Sequence, residues 1–398
     1  MGLTDAVMIG LGSMLGAGVF AAFAPAARAA GGALLVGLAV AAVVAYANAT
    51  STARLAAVLP TSGGAYAYGR RQLGHGWGFL AGWSFLVGKT ASCAAMALTF
   101  GSYVAPGYAR PLAVAAVLGV VAVNLVGVAK TARATMVIVV IVLAVLALVV
   151  AGGVAAPSAT DADAGRAGVY GVLQSAGILF FAFAGYARIA TLGEEVRDPR
   201  RTIPRAVPIA LGIALAVYLS VALASLHALG PWGLATSAAP LADVVAAGPL
   251  ADLAWLVQVG AAVATLGVLL ALVAGIGRTA FAMAREGDLP AGLGRVSRGS
   301  KVPHVAEVAV GLVVIVVVLA ADVRGAIGFS SFTVLTYYAV ANASAWRLPD
   351  SGRWPRALAA LGLVGCAVLG ATLPLASVLA GLGVVAVGVL AWAIRRRY

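Results

Sequence analysis

The sequence predicts an all-α polytopic membrane protein with about twelve transmembrane helices. Hydrophobic residues make up 63% of its 398 residues and charged residues only 10%, whereas soluble domains are about 45–50% apolar and about 25% charged. This excess cannot be hidden in one soluble core, because a soluble chain of this size needs a polar surface. The apolar residues also form long unbroken runs, which excludes a disordered chain and the alternating pattern of a porin-like barrel.

Each predicted helix corresponds to an apolar run long enough to cross a membrane. About 20 helical residues span the roughly 30 Å of hydrocarbon in a bilayer. The predicted spans lie at about 7–27, 32–58, 77–105, 111–128, 135–153, 169–192, 204–228, 250–284, 305–321, 326–346, 357–374 and 377–394. No segment between them is long enough for a soluble domain, so residues 1–398 are predicted to form a single transmembrane domain.

The basic residues are divided unequally between the two sets of predicted loops. Of the 26 Lys and Arg residues, 20 fall in one set of loops and in the C-terminal tail, and four fall in the opposite set. Because basic loops remain in the cytoplasm, both termini are predicted to be cytoplasmic in a multi-pass protein of the cell membrane. The net charge of +13 is therefore assigned to topology and to contact with the lipid bilayer, and no nucleic-acid partner is expected.

Two of the predicted spans are unusually rich in glycine. The first carries Gly10, Gly12, Gly16 and Gly18, and the sixth contains GILFFAFAGY at 177–186. Glycine costs about 1 kcal/mol relative to alanine inside a helix, and open backbone at membrane depth survives only against protein or a water-filled cavity. Interrupted spans at matching positions in two halves indicate the central site of a transporter. Close helix packing through the small-xxx-small spacing of Gly12 and Gly16 is the alternative.

Four short motifs follow one another along the chain. They are GSMLGAGVF at 12–20, LPTSGGAY at 59–66, FFAFAG at 180–185 with EEVRDP at 194–199 and IPR at 203–205, and MAREGDLP at 283–290 with PH at 303–304. In order and in topological place they resemble the motifs of the amino acid–polyamine–organocation (APC) superfamily of amino-acid permeases. The last two predicted spans carry no such motif.

The resemblance implies a leucine-transporter-like fold. In that fold, two inverted repeats of five helices precede two extra helices, and helices 1 and 6 are discontinuous. Repeat one would cover about 7–153, repeat two about 169–346, and the extra C-terminal helices about 357–394.

The resemblance also implies a substrate site at the two discontinuities. The amides of residues 16–18 would bind a substrate carboxylate, since the N-terminus of a helix attracts anions. The carbonyls of Met14, Phe181 and Ala184 would bind the substrate ammonium group. The complete set of predicted substrate-binding residues is Met14, Leu15, Gly16, Ala17, Gly18, Phe181, Ala184 and Gly185.

At two positions the chain departs from the family pattern. Many members carry Ser or Thr where this chain has Ala17, so one hydroxyl contact to the carboxylate is missing. In proton-coupled relatives a lysine in span five lies near the site, and the aligned residue here is Val142. The familiar coupling lysine is therefore absent.

Two other basic residues lie inside predicted spans. Lys89 is about twelve residues into span three, roughly 18 Å deep at 1.5 Å per residue, and Arg188 follows the break in span six. Intramembrane charge costs at least about 2.5–3.5 kcal/mol, so both residues are candidates for coupling. Burying a neutral amine costs less than burying a charge, so Lys89 could carry a proton or replace a coupling ion. In the structural alternatives, Lys89 snorkels or pairs with a carbonyl, and Arg188 reaches water or pairs with Glu194 or Glu195.

These features predict a secondary active transporter that moves an amino acid or related amine by alternating access, either coupled to protons or as an exchanger. A channel or receptor-like membrane protein without coupled transport is the alternative from another class. An enzyme is not expected, because the sequence offers no clustered acid, base or nucleophile. The chain contains no P-loop for ATP and its three histidines are scattered, so neither a cofactor nor a metal is expected.

Overall fold

The structure is a computed structural model that describes residues 1–16, 18–59, 63–127, 132–159, 167–190, 196–297, 302–349 and 352–395. Every regular element within these ranges is helical, which confirms the all-α class. The α-helices are α1 (Leu3–Leu15), α2 (Gly18–Ala30), α3 (Leu34–Val58), α4 (Gly64–Gln72), α5 (His75–Val104), α6 (Ala109–Val126), α7 (Ala132–Ala155), α8 (Val169–Phe183), α9 (Ala187–Ala190), α10 (Pro199–Thr236), α11 (Pro240–Ala246), α12 (Ala254–Arg285), α13 (His304–Ala320), α14 (Val323–Trp346), α15 (Arg353–Thr372) and α16 (Leu375–Arg395). Short 3-10 turns lie at Gly31–Ala33, Pro106–Tyr108, Ala184–Tyr186, Ala251–Leu253 and Ala291–Gly294.

Eight helical stretches in the described part of the chain are long and apolar enough to cross a membrane. They are Gly18–Val58, Pro106–Val126, Thr135–Ala155, Val169–Ile189, Pro199–Thr236, Ala251–Arg285, Arg353–Thr372 and Leu375–Arg395. The helices α1 and α13 are apolar but shorter. The chain is therefore an all-α multi-pass membrane protein, and the count of twelve spans stays a prediction.

The long helices α5 and α14 pack extensively against each other. Gly88 allows this approach, because a Cβ at that position would collide with the Thr333 hydroxyl on α14. The hydroxyl groups of Ser92 and Ser330 form a hydrogen bond of 2.7 Å across the same interface. Small and hydroxyl-bearing residues let membrane helices approach closely, and Gly88, Ser92, Ser330 and Thr333 do so at this interface.

The first and sixth predicted spans are both interrupted in the structure. The helix α1 ends at Leu15, and α2 begins at Gly18. The helix α8 ends at Phe183 and continues through the 3-10 turn Ala184–Tyr186 into the short helix α9. Both interruptions coincide with the glycine-rich segments, where helical backbone is least favoured.

Several local features were not predicted from the sequence. The short helices α4 and α11 lie between predicted spans. The helix α10 is interrupted at Gly230, whose φ of +65° suits glycine, and Pro231 follows. The predicted span 204–228 therefore covers the part of α10 that precedes this interruption.

A buried polar cluster ties the C-terminal helix α16 to α4, α5 and the loop after α12. The Asp288 carboxylate, 2% exposed, accepts hydrogen bonds from the Tyr66 hydroxyl at 2.8 Å and from the Trp392 indole N–H at 3.0 Å. It also lies 2.8 Å from Nε2 of His75. The Trp392 ring stacks on His75 and Phe79, with centroids 5.6 Å and 5.3 Å apart. Burial and the bond to Asp288 raise the pKa of Tyr66, so Tyr66 remains a donor at neutral pH.

We expect Asp288→Ala to lower the unfolding temperature of the purified protein strongly. The variant leaves the half-buried Tyr66 and Trp392 donors without their acceptor, and each donor left unsatisfied costs about 1–3 kcal/mol when it is buried. The matched control is Glu286→Ala. Glu286 pairs with Arg70 at 2.9 Å, but their side chains are 54% and 32% exposed, and exposed pairs contribute only about 0–1 kcal/mol. Equal shifts in the two variants, measured by thermal unfolding in detergent, would contradict this assignment.

Candidate functional site

The two helix interruptions are in direct backbone contact. A Cβ on Gly18 would lie 2.5 Å from the Cα of Ala182 on α8, and a Cβ on Gly185 would lie 2.7 Å from the backbone nitrogen of Met14. No real Cβ atom approaches so closely, so only glycine fits at these positions. The sequence thus brings the ends of α1, α2 and α8 together by removing side chains where the backbones meet.

Backbone polar groups are concentrated at this junction. The last carbonyls of α1 and the first N–H groups of α2 have no partners within their own helices, as at any helix end. The N-terminus of α2 also carries the positive end of its helix dipole. The junction therefore presents donors suited to an anion beside acceptors suited to a cation.

Two tyrosines from neighbouring helices reach the carbonyls of the interrupted segments. The hydroxyl of Tyr218, on α10, lies 2.7 Å from the Met14 carbonyl oxygen and 2.9 Å from that of Ala182. The hydroxyl of Tyr338, on α14, donates to the Ala184 carbonyl at 3.0 Å. Both tyrosines are almost completely buried. They bind the two interruptions to the surrounding helices, a role that no motif in the sequence indicates.

Aromatic side chains surround the same junction. The ring of Phe183 packs edge-on against Tyr218, with centroids 5.1 Å apart, and Phe23 of α2 contacts Tyr218 at 6.5 Å. The ring of Phe180 packs against Tyr338 at 5.7 Å, and Tyr186 stacks on Tyr338 at 5.0 Å. The polar backbone groups are therefore enclosed by an apolar and aromatic wall.

The structure brings most of the predicted substrate-binding residues together. Met14 and Leu15 are fully buried at the end of α1, and Ala184 is buried at the end of α8. Gly16 follows α1, where a Cβ would collide with Val268 of α12. Gly18 and Gly185 make the contacts described above, and Phe181 is half-buried on α8. Ala17 lies outside the described residues.

The two coupling candidates lie in different surroundings. Lys89 is half-buried on α5, with the Cys93 thiol one turn further along the helix. Within the described residues its ammonium group makes no hydrogen bond or ion pair. Arg188 is exposed on α9, and its predicted partners Glu194 and Glu195 lie outside the described residues. Val142, the position of the familiar lysine, is buried on α7.

A buried polar network between α3, α14 and α15 was also not predicted from the sequence. Nδ2 of Asn342 on α14 donates to Oδ1 of Asn48 on α3 at 2.6 Å, and Nδ2 of Asn48 lies 3.3 Å from Sγ of Cys366 on α15. Asparagines inside apolar runs were the available signal, since a polar side chain at membrane depth needs a partner.

Within the described ranges, no group of three or more His, Cys, Asp or Glu side chains could hold a metal ion.

Comparison with known proteins places the chain in a family. The family model described as "Amino acid permease" matches residues 5–348, from α1 through α14. An uncharacterized transporter of Mycobacterium tuberculosis is 59% identical over 403 residues, covering 100% of this chain and 91% of the relative. Human cationic amino acid transporter 4 is 28% identical over 367 residues, which cover 85% of this chain and 58% of the relative.

A bacterial relative is named for a different class of amino acid. The branched-chain amino acid permease BcaP of Bacillus subtilis is 24% identical over 331 residues, covering 77% of this chain and 71% of the relative. The family match confirms the resemblance that the four sequence motifs indicated. The chain is a membrane transporter that belongs to the amino acid permease family.

Proposed function

We propose that the protein is a secondary active transporter that moves a neutral α-amino acid across the cell membrane by alternating access. The observation that carries this proposal is the backbone contact between the two interrupted helices, because it brings helix-end amides and carbonyls together at one buried place. A zwitterion needs both kinds of group within a few ångströms of each other.

The amides of residues 16–18 are suited to the substrate carboxylate, because in the sequence they lie at or directly before the start of α2, the positive end of its dipole. The carbonyls of Met14, Phe181 and Ala184 are suited to the ammonium group. A carbonyl oxygen has two lone pairs, so the bonds that Tyr218 and Tyr338 make leave acceptor capacity for a substrate.

The side chains around the junction favour an uncharged substrate side chain. The named neighbours of the interrupted segments are aromatic or aliphatic: Phe23, Phe180, Phe183, Val268 and the rings of Tyr218 and Tyr338. None of these described neighbours carries a carboxylate, so a cationic side chain placed against them would lose its hydration without compensation from them. We therefore propose an aliphatic or aromatic amino acid, although the human relative is named for cationic ones.

We also propose the number of spans, their division into repeats and the location of the termini. Twelve spans would form inverted repeats over about 7–153 and 169–346, followed by extra helices over about 357–394, with both termini in the cytoplasm. The interruptions between α1 and α2 and between α8 and α9 support this arrangement, because each falls in the first span of a proposed repeat.

Uptake into proteoliposomes tests the proposed function. Purified protein would be offered labelled leucine, phenylalanine, lysine and putrescine, with and without pH and sodium gradients. We expect saturable uptake of leucine or phenylalanine, and counterflow when the vesicles are preloaded with the unlabelled amino acid. Ion currents without saturable uptake would favour a channel, and binding without transport would favour a receptor-like protein.

The proposed topology predicts opposite accessibility for two glycines in open positions. A Cβ at Gly107 or at Gly292 would meet no other atom within 4 Å, so cysteine fits at both. In intact cells we expect an impermeant thiol reagent to label Gly107→Cys, which follows α5 on the proposed outer side. It should leave Gly292→Cys, between α12 and α13, unlabelled until the cells are opened. The two native cysteines are buried, and the reverse pattern of labelling would overturn the orientation.

A further inference from the structure

The helix α15 packs along α8, the helix that ends at the second interruption. It lies outside the region that the family model matches, which ends at residue 348. Nε2 of Gln174 on α8 donates to the Thr372 carbonyl of α15 at 3.2 Å. Nearby, a Cβ on Gly177 of α8 would lie 3.1 Å from the Leu369 carbonyl oxygen of α15. Both contacts precede the interruption, so they fix only the first part of α8 directly against α15.

A buried polar cluster connects α15 to the interruption itself. Nδ2 of Asn48 on α3 donates to Sγ of Cys366 on α15 at 3.3 Å, and the same sulfur lies 3.4 Å from Oδ1 of Asn48. Nδ2 of Asn342 on α14 donates to Oδ1 of Asn48 at 2.6 Å. Both asparagines are completely buried, and Cys366 is 3% exposed. We refer to these three residues as the asparagine cluster.

A glycine allows the backbone of α15 to reach the asparagine cluster. A Cβ on Gly362 would lie 2.6 Å from Oδ1 of Asn342 and 2.7 Å from Oδ1 of Asn48. Gly362 is four residues before Cys366, and residues four apart share a helix face. One face of α15 therefore meets both amides, first with bare backbone and one turn later with the Cys366 thiol.

The asparagine cluster reaches the interruption of α8 through Tyr338. Nδ2 of Asn342 also donates to the Tyr338 carbonyl, one turn earlier on α14, at 2.9 Å. The Tyr338 hydroxyl donates to the Ala184 carbonyl at 3.0 Å, and the Tyr338 ring stacks on Tyr186 with centroids 5.0 Å apart. A continuous chain of polar contacts therefore runs from Cys366 on α15 to the 3-10 turn that follows α8.

We propose that Cys366, Asn48 and Asn342 are positioning residues that fix the Ala184 carbonyl for the substrate ammonium group. They do not touch the substrate and act through Tyr338. The proposal rests on the proposed function, because it takes the Ala184 carbonyl to be a substrate ligand. It gives α15, which lies outside both proposed repeats, a part in substrate binding.

Hydrogen exchange of the full-length protein in detergent, measured by mass spectrometry without substrate, tests the positioning directly. Asn342→Leu keeps the approximate size of the side chain but removes its donors. We expect the peptide covering residues 180–190 to exchange about 2- to 10-fold faster for each hydrogen bond lost. Cys366→Ala should accelerate exchange about twofold, since a thiol is a weak donor and acceptor. Cys366→Ser restores hydrogen bonding at a similar size, so it should return exchange to the wild-type rate.

The matched control is Ser344→Ala. Ser344 is completely buried on α14, and its hydroxyl donates to the Val340 carbonyl of the same helix at 2.8 Å, so this variant should exchange like the wild type over residues 180–190. The Cys366 variants test the asparagine cluster even if Asn342→Leu does not fold. Wild-type exchange of residues 180–190 in Asn342→Leu and Cys366→Ala would overturn the proposal. Faster exchange confined to α3 and α15 would also overturn it, because a purely local structural role predicts that result.

Uptake into proteoliposomes connects the positioning to the substrate. Asn342→Leu and Cys366→Ala should raise the KM for the transported amino acid, and Cys366→Ser should restore it. A lower maximal rate with an unchanged KM would overturn the role in substrate binding. Absence of saturable uptake by the wild type would overturn the proposed function, whereas the exchange measurement, made without substrate, would still decide whether the asparagine cluster positions the interruption.

Discussion

Gly18→Leu is expected to abolish substrate uptake while the protein still inserts into the membrane. Even a single Cβ at Gly18 would lie 2.5 Å from the backbone of Ala182, which cannot move aside as a flexible side chain can. Overpacking costs about 1–3 kcal/mol of folding free energy, and leucine adds three further carbons, so the two backbones must separate and the proposed site is displaced. Uptake in proteoliposomes and the yield of monodisperse protein would be measured together.

The control for this variant is Gly119→Leu on α6, where a Cβ would meet no atom within 4 Å. This variant should transport like the wild type. A gentler test of the same junction is Tyr218→Phe, which keeps the ring packed but removes the hydroxyl that binds Met14 and Ala182. A hydrogen bond within the protein contributes about 0.5–1.5 kcal/mol to stability, so Tyr218→Phe should loosen the junction and reduce uptake less than Gly18→Leu does. Wild-type affinity in the Gly18→Leu variant would place the substrate site elsewhere.

Lys89→Ala is expected to abolish accumulation driven by a pH gradient while counterflow survives. The residue is half-buried on a long helix, and its ammonium group has no hydrogen-bonding partner within the described residues. Val142 occupies the position of the familiar coupling lysine, so another group must carry any transported proton. With a gradient of one pH unit, transport coupled to one proton can concentrate substrate about tenfold. In the Lys89→Ala variant, the ratio of internal to external substrate concentration should stay at about one.

Lys89→Arg separates proton transfer from fixed charge, because arginine stays protonated. It should also fail to accumulate substrate. Arg353→Ala, which removes an exposed positive charge from the start of α15, should accumulate substrate like the wild type. A purely structural role predicts instead that accumulation and counterflow fall together in the Lys89→Ala variant, and that arginine is tolerated. Wild-type accumulation in both Lys89 variants would exclude a coupling role.

The features that were predictable from the sequence are those encoded locally. The apolar runs predicted an all-α membrane protein, and the motif at 12–20 with its partners predicted the family. The two interrupted spans were also predictable, because clustered glycine disfavours helix wherever it occurs. The substrate-binding roles of residues such as Gly16 and Ala184 stay predictions.

The features that were missed depend on contacts between distant parts of the chain. Tyr218 stands alone in α10 and Tyr338 follows Tyr337 in α14, and their sequence neighbours do not indicate that each reaches a carbonyl at the helix interruptions. Asp288 and Trp392 are 104 residues apart, and neither belongs to a pattern that specifies the other. Periodicity assigns a residue to a helix face, but the partner of that face follows only from the three-dimensional packing.

The most direct test of the central claim is a cryo-EM structure with the amino acid that proteoliposome uptake identifies. We expect density at the junction of α1, α2 and α8, with the carboxylate at the amides of residues 16–18. The ammonium group should lie near the carbonyls of Met14, Phe181 and Ala184. Substrate density at any other place in the bundle, with no density at this junction, would contradict the proposed site.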